Sequence, residues 1–319
     1  MQSFVIDTDE KPTVLAAMRN NLPDQPSWST VRKLMRSRLV TVGGVLCIDE
    51  ARRLSRGEVV QIVDRALAPP PRDEDIKILH VDQQVIVVEK PSGMVSLRRK
   101  NEYSWTWEKR NRQPSLDECV PRMIGVHASE KKKQQRAIHK QPRLFPVHRL
   151  DRDSSGIMVF ARDEESQTKL IHQFAQHSAV RKYLALIPGQ FQKQTVRSQL
   201  IRDRGDGLRG STSESNIGEH AITHFKSLRA FENLSELECK LETGRTNQIR
   251  IHLAEAGHPI CGDVKYRGPF ASAPIKDHSR IHRLALHATQ LKFNHPVTND
   301  LMDFTTPWPD DMARFIAKL

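Results

Sequence analysis

The chain has 319 residues, 50 Lys+Arg against 38 Asp+Glu, 38% hydrophobic and 28% charged. That balance excludes a disordered chain and allows about two domains with sizeable cores, and no apolar run approaches the ~20 residues of a membrane span. The formal charge of +12 calls for a polyanionic partner, and four scattered cysteines without a C-x-x-C pair argue against a disulfide scaffold or a zinc site and suit a reducing cytoplasm.

The first ten residues hold Asp7, Asp9 and Glu10 and no basic start ahead of an apolar core, so no signal peptide is expected. Residues 12–65 read as a small separate unit. Ser27 to Thr30 supply caps for a helix with Val31, Leu34 and Met35 at helical spacing, and Arg32, Lys33 and Arg36 crowd it as expected RNA contacts. Leu39–Val42, Gly43-Gly44 and Val45–Ile48 predict a hairpin, and Gly57–Val63 a further strand. The pattern resembles the small RNA-binding domain first recognised in a ribosomal small-subunit protein, often called the αL motif, with Gly43-Gly44 where Asn-Gly is usual. Residues 66–74 contain three consecutive prolines and read as a stiff linker.

From 75 to 319 strands and helices alternate. Gln84–Lys90 and Gly156–Arg162 are expected as buried strands, and 163–178 as a helix with Leu170, Ile171 and Phe174 on its inner side. Val180–Ile187 is a strand. In the next, Leu237, Cys239 and Leu241 point inward and Glu236, Glu238, Lys240 and Glu242 outward. Thr246 is expected to cap a helix carrying Ile249 and Leu253 inward, which Gly257 stops. The fold class is therefore α+β, a mixed, largely antiparallel sheet with flanking helices, plus the small N-terminal α/β domain. Between 98 and 143 lie 13 Lys+Arg and 5 Asp+Glu, a basic insertion of net +8 that includes Lys131, Lys132 and Lys133. Tyr103, Trp105 and Trp107 stand among its first cations, a mixture suited to phosphates and unpaired bases.

Two segments carry the chemistry. Pro146-Val147-His148-Arg149-Leu150-Asp151-Arg152-Asp153-Ser154-Ser155-Gly156 sets acids and arginines on a loop feeding a rigid strand, a place for one activated carboxylate. The second runs Leu241-Glu242-Thr243-Gly244-Arg245-Thr246-Asn247-Gln248-Ile249-Arg250-Ile251-His252-Leu253, followed by Gly262-Asp263-Val264-Lys265-Tyr266. With Lys90-Pro91-Ser92-Gly93, Lys182-Tyr183-Leu184-Ala185-Leu186, Leu286-His287-Ala288 and His295-Pro296, these resemble, in order from ~80 to ~306, the pseudouridine synthases of the large-subunit ribosomal RNA (Rlu, RluA-type) family.

The resemblance implies that Asp151 is the catalytic aspartate, that Arg250 pairs with it and that Tyr183 lies against the target base. It also implies that Arg149 helps displace that base and fills its place. His148, Arg245, Asn247 and Lys90 are expected as further substrate contacts. Asn247 stands where the family usually has His, and Ser154 where Thr is usual; neither change removes a proposed catalytic group. The reaction so implied is isomerisation of uridine with base flipping, with no metal and no cofactor, by a cytoplasmic monomer that has no membrane partner. Asp151 would attack C1′ or take the C2′ proton, and the sequence leaves both open. Removing Arg250 is expected to stop turnover with the fold intact. Ribosomal RNA is the expected substrate, with transfer RNA or a non-catalytic RNA-binding or ribosome-assembly role as alternatives. Gly205-Asp206-Gly207-Leu208-Arg209-Gly210 fits G-x-G-x-x-G but lacks a preceding buried strand and a following helix, and reads as a loop.

Overall fold

A computed structural model describes residues 2–131 and 143–319, apart from positions 65, 206, 215 and 274. Lys132 and Lys133 lie outside the described residues, and Lys131 is described only as the last residue of a helix.

The N-terminal unit comprises β1 (Gln2–Val5), α1 (Val14–Asn21), α2 (Trp28–Arg36), β2 (Val40–Val42), β3 (Val45–Leu46) and β4 (Val59–Ile62). They form a four-stranded antiparallel sheet, order β1-β4-β2-β3, over a core that includes Val14, Met18, Val31, Met35 and Leu54. Strand β1 extends the unit ahead of residue 12, since a short polar-edged strand leaves little trace in composition. Ser27 caps α2 by accepting the Thr30 N–H (3.2 Å). Gly43 and Gly44 both take left-handed φ (+56°, +69°), as a two-residue hairpin turn requires. A Cβ on Gly44 would press on the carbonyl of Val264 at 3.0 Å, so this hairpin abuts a loop of the second unit. Arg152 Nη1 also reaches the Leu46 carbonyl (3.4 Å).

The second unit adds β5 (Lys77–Val81), β6 (Val85–Lys90), α3 (Trp107–Asn111), α4 (Leu116–Lys131), β7 (Phe145–Pro146), β8 (Ser155–Ala161), α5 (Glu164–Ala175), β9 (Val180–Pro188) and β10 (Gln194–Ile201). It continues through β11 (Gly210–Thr212), β12 (Glu219–Ala230), β13 (Leu234–Leu241), α6 (Gln248–Glu255), β14 (Leu286–Asn294), β15 (Leu301–Thr305) and α7 (Asp310–Ile316). Eleven strands form one sheet, β11-β10-β12-β13-β9-β14-β8-β6-β5, with β15 beside β14 and β7 beside β8. Among the described residues the pairs are antiparallel except β14 with β8. The sheet is thus mixed and largely antiparallel, as the sequence predicts.

Strands β6 and β8 carry the apolar runs Val85–Val88 and Ile157–Ala161 because both faces of the sheet are covered there. Val85, Val87, Ile157 and Val159 join the core under α5, while Ile86, Val88, Met158 and Phe160 face the larger core with α4, α6 and α7. Gly156 (φ +120°) sits where the parallel pair begins, and a Cβ there would collide with the backbone of Ala288. Among the described residues no helix is long and apolar enough to cross a membrane.

Three local expectations are corrected. Ile171 is 44% exposed, because α5 presents only a narrow face around Leu170 to the sheet. Glu236 is buried, accepting the Trp308 indole N–H (2.7 Å) and pairing with Arg229, so β13 does not bury one face alone. Thr246 is not the cap of α6, which begins at Gln248 after a left-handed Asn247.

Two buried imidazoles sit in matched settings. His287 is held between the hydroxyls of Ser155 and Thr306, and His252 between those of Ser198 and Thr223. Burial pushes their pKa down from 6.5, His287 to about 3 and His252 to about 4. Unfolded rings take protons below pH 6.5 while the folded rings stay neutral to about 4. Stability is therefore full above about 6.5 and falls as the pH drops toward 4. The urea midpoint should be lower at pH 5 than at pH 7, and His287→Gln should flatten that slope; an unchanged slope would remove His287 as a source.

Candidate active site

The loop between β7 and β8 carries Asp151, and the turn after β6 holds it still. Lys90 is fully buried, and its Nζ donates to the carbonyls of Pro91 (2.9 Å), Met94 (2.8 Å), Arg152 (3.0 Å) and Ser154 (2.6 Å). Ser92 Oγ donates to the Asp153 carbonyl (2.6 Å), and Ser96 Oγ both donates to the Leu150 carbonyl (2.7 Å) and accepts its N–H (3.1 Å). Ser154, where Thr was usual, donates to the Asp151 carbonyl (3.1 Å) and so closes the turn with the hydroxyl the two residues share. Burial pushes the Lys90 pKa down to about 7, and its N–H groups, three at most and shared among four carbonyls, leave no donor for a substrate. Lys90 thus ties two loops together and is corrected from a substrate contact to a structural residue.

His148 is corrected on similar grounds. Its Nε2 accepts the Val159 N–H (3.1 Å), its ring stacks on Phe174 (centroids 4.7 Å apart), and burial near Arg181 pushes its pKa down to about 3. It fastens the loop to β8 and does not line the cleft that holds Asp151.

Helix α6 brings the second group. Arg250 sits in a run, Gln248 to Ala254, buried on every side, so its charge needs a buried partner. That partner is Asp263, whose side chain is fully enclosed. Its Oδ2 accepts from Nε (2.7 Å) and its Oδ1 from Nη2 (2.9 Å) of Arg250. Asp263 Oδ1 also accepts the N–H groups of Lys265 (2.8 Å) and Tyr266 (3.0 Å). This leaves Nη1 to donate to Asp151 Oδ2 (3.1 Å) and Asn247 Oδ1 (3.1 Å). Burial alone would lower the guanidinium's pKa, but Asp263 and Asp151 together push it above its ordinary value, so it stays charged.

Asn247 occupies the left-handed region (φ +60°), which Asn tolerates well, and its amide bridges Arg250 to the Tyr266 hydroxyl (3.2 Å). It supports Arg250 and itself lines the cleft, where a substrate could reach it. Gln248 is buried with both ends bonded, accepting from Thr243 Oγ1 and the Arg245 N–H and donating to the Ile222 carbonyl and Thr223 Oγ1. That network fixes the Thr-Gly-Arg-Thr turn. Sequence reasoning missed Asp263, Gln248 and Tyr266 as site residues; the signal was an arginine between Ile249 and Ile251, which demands a buried acid.

These elements enclose a cleft of about 140 Å³, with Leu150, Leu241, Ile249 and Leu286 as its apolar part and Asp151, Arg250 and Tyr183 in its walls. Burial pushes the Tyr183 phenol up to about 12, with Arg181 opposing and Asp151 adding to the rise, and its hydroxyl makes no hydrogen bond among the described residues. Arg149 is exposed at the cleft and carries no ion pair among the described residues. Arg245 lines the cleft too, tied to the His220 carbonyl (3.1 Å) and Glu219 (3.4 Å). Of the expected RNA contacts on α2, Arg32 pairs with Glu50 (3.1 Å), whereas Lys33 and Arg36 are exposed and unpaired among the described residues.

Residues 84–255 match the RNA pseudouridylate synthase family. The chain is 33% identical over 247 residues to the RNA pseudouridine synthase YlyB of Bacillus subtilis, covering 77% of this chain and 73% of that one. It is 30% identical over 303 residues to ribosomal large subunit pseudouridine synthase D of Zymomonas mobilis, covering 91% and 90%. Among solved structures, human RNA pseudouridylate synthase domain containing 4 shares the fold, with a TM-score of 0.56 at 22% identity over 76% of this chain and 92% of that one.

The geometry revises one expectation drawn from sequence, that Arg250 can be removed with the fold intact. Arg250→Met strands a fully enclosed carboxylate at Asp263 and should lower unfolding free energy by about 3–5 kcal/mol. Asp151→Asn leaves the Arg250–Asp263 pair whole and should change it by less than about 1 kcal/mol. Urea denaturation of the two variants checks this, and equal losses would contradict the assignment.

Proposed function

The chain belongs to the RNA pseudouridylate synthase family and is an RNA pseudouridine synthase, and on that premise we propose that it isomerises uridines of large-subunit ribosomal RNA through Asp151, without a cofactor and with the target base drawn from its stack. One observation carries the reading. A single carboxylate is held by one N–H of a buried guanidinium beside a small cleft walled by Tyr183, Leu150, Leu241, Ile249 and Leu286 on its apolar part and by polar residues elsewhere.

Uridine and pseudouridine are isomers. The C1′–N1 bond breaks, a C1′–C5 bond forms, C5 gives up a proton and N1 gains one, so no oxidant, reductant or energy source enters the balance. Asp151 serves as nucleophile at C1′ or as base toward the C2′ proton, and either role uses the carboxylate that accepts the Arg250 N–H. The Leu and Ile side chains favour a flat base over water, and contacts with the phenol ring offset the few kcal/mol of unstacking. A phenol raised to about 12 remains protonated at neutral pH, and its unbonded hydroxyl is free to exchange a proton with the turning base. The guanidinium of Arg149, exposed and without an ion pair among the described residues, is suited to fill the vacated place in the RNA.

Large-subunit ribosomal RNA as substrate is supported by relatives named ribosomal large subunit pseudouridine synthase D that match over nearly the whole chain. The exposed Lys33 and Arg36 of the N-terminal unit, which we read as an αL-type RNA-binding domain, agree with it. Four free, buried cysteines fit a reducing cytoplasm.

Asp151→Asn should keep its affinity for RNA while the rate of pseudouridine formation falls by at least ~10²-fold; appreciable product would overturn the role of Asp151. Site-resolved pseudouridine mapping in cells lacking the protein should show losses in large-subunit ribosomal RNA that wild type restores and Asp151→Asn does not. Losses confined to transfer RNA would refute the choice of substrate.

A further inference from the structure

We propose that the segment 99–112 presents Trp107 and Tyr103 as stacking rings for unpaired bases of the RNA, beside the strand entering the Asp151 cleft. The proposal rests on RNA being the substrate, and it starts from how this segment sorts its side chains.

Its inward cations are neutralised. Arg98, whose side chain is fully enclosed, and Arg110 share Glu118 (2.7 and 3.1 Å), and Lys109 binds Asp49 of the N-terminal unit (2.6 Å). Trp105 lies under Lys109 (4.3 Å) and near Arg98 (5.9 Å), so its ring is already occupied. The outward side differs. Trp107 is 67% exposed and Tyr103 53%, and Tyr103 is steadied by donating to Asp117 (3.2 Å) while more than half its surface stays open. In the same segment Lys100 and Arg112 are exposed, Arg99 is exposed and pairs at 4.0 Å with Glu102, and Glu108 is an exposed acid.

Two aromatic rings set singly among polar residues do not make the contiguous apolar patch that a protein partner needs. Rings with flanking cations match a nucleic-acid strand, the charges tracking phosphates and each ring taking a base face. The base must be unpaired, since a duplex keeps its base faces stacked within the helix.

Position supports the same partner. At its base the segment is joined to the catalytic loop, where Ser96 holds both polar groups of Leu150, next to Arg149 and Asp151. At its far end the Arg112 carbonyl accepts from Arg38 (3.1 Å), and Arg112 lines one small cleft with Arg36 of α2. The platform therefore bridges the exposed cations of α2 and the Asp151 loop.

The test is the affinity of the full chain for a single-stranded oligouridylate and for an RNA duplex of equal length, measured across a salt series. Trp107→Ala should weaken oligouridylate binding at least about fivefold, with the salt slope and duplex affinity unchanged, while Trp107→Phe should retain most of the affinity. An unchanged affinity in Trp107→Ala, or an equal loss for the duplex, would overturn the platform. Because the readout is binding, its failure is separable from that of the catalytic reading, which pseudouridine formation by Asp151→Asn decides. Trp107 is exposed, so unchanged far-UV circular dichroism is expected in both variants.

Discussion

Asp263 takes the Nε and Nη2 edge of Arg250 and leaves it one way to point: Nη1 toward Asp151 and Asn247. A charge on an all-buried helix is costly alone, and the two-pronged pair with an enclosed carboxylate offsets that cost while fixing the guanidinium's orientation. The rest of the site is arranged around this constraint. The Asp263 loop accepts the N-terminal hairpin at Gly44, and Tyr266, reached from Asn247, closes the cluster from the other side.

Asp151 needs a matching rigidity, which comes from a different part of the chain. Lys90 gathers four carbonyls from two loops, Ser96 bonds the preceding Leu150, and Ser154 bonds the carbonyl of Asp151 itself. The carboxylate is thus aimed by backbone contacts and the guanidinium by a side-chain pair, and the two meet at 3.1 Å across 99 residues of sequence. A site built this way rests on paired strands and a buried helix rather than on free loops, which suits a reaction that must hold a turned base in one orientation.

The basic character of the chain divides along similar lines. Arg52, Arg98, Arg110 and Lys109 belong to internal ion pairs; Arg52 closes one within the N-terminal unit, Arg98 and Arg110 join the insertion to itself, and Lys109 joins it to the N-terminal unit. Among the described residues, Lys33, Arg36, Lys100 and Arg149 face outward without an ion pair and are open to a polyanion. Net charge overstates the RNA-binding surface because a buried cation must be matched by an acid, whereas an outward cation on a binding face need not be.

The sequence by itself determined the class of the protein. Apolar runs marked β6 and β8 as strands covered on both faces, Gly43-Gly44 marked the hairpin, and ordered segments singled out Asp151, Tyr183 and Arg250. Local patterns report local physics, namely which face is apolar, where φ must be positive and where a cap stands. Tertiary structure decided the roles that depend on partners distant in sequence. Lys90 and His148 look like ligands in a motif and are fasteners in the fold, because two of the carbonyls Lys90 binds and the N–H His148 accepts come from distant loops and strands. Asp263 became visible as the orienting acid only once α6 and the loop after it were folded together. A buried charge is defined by what surrounds it, and the chain order does not contain those surroundings.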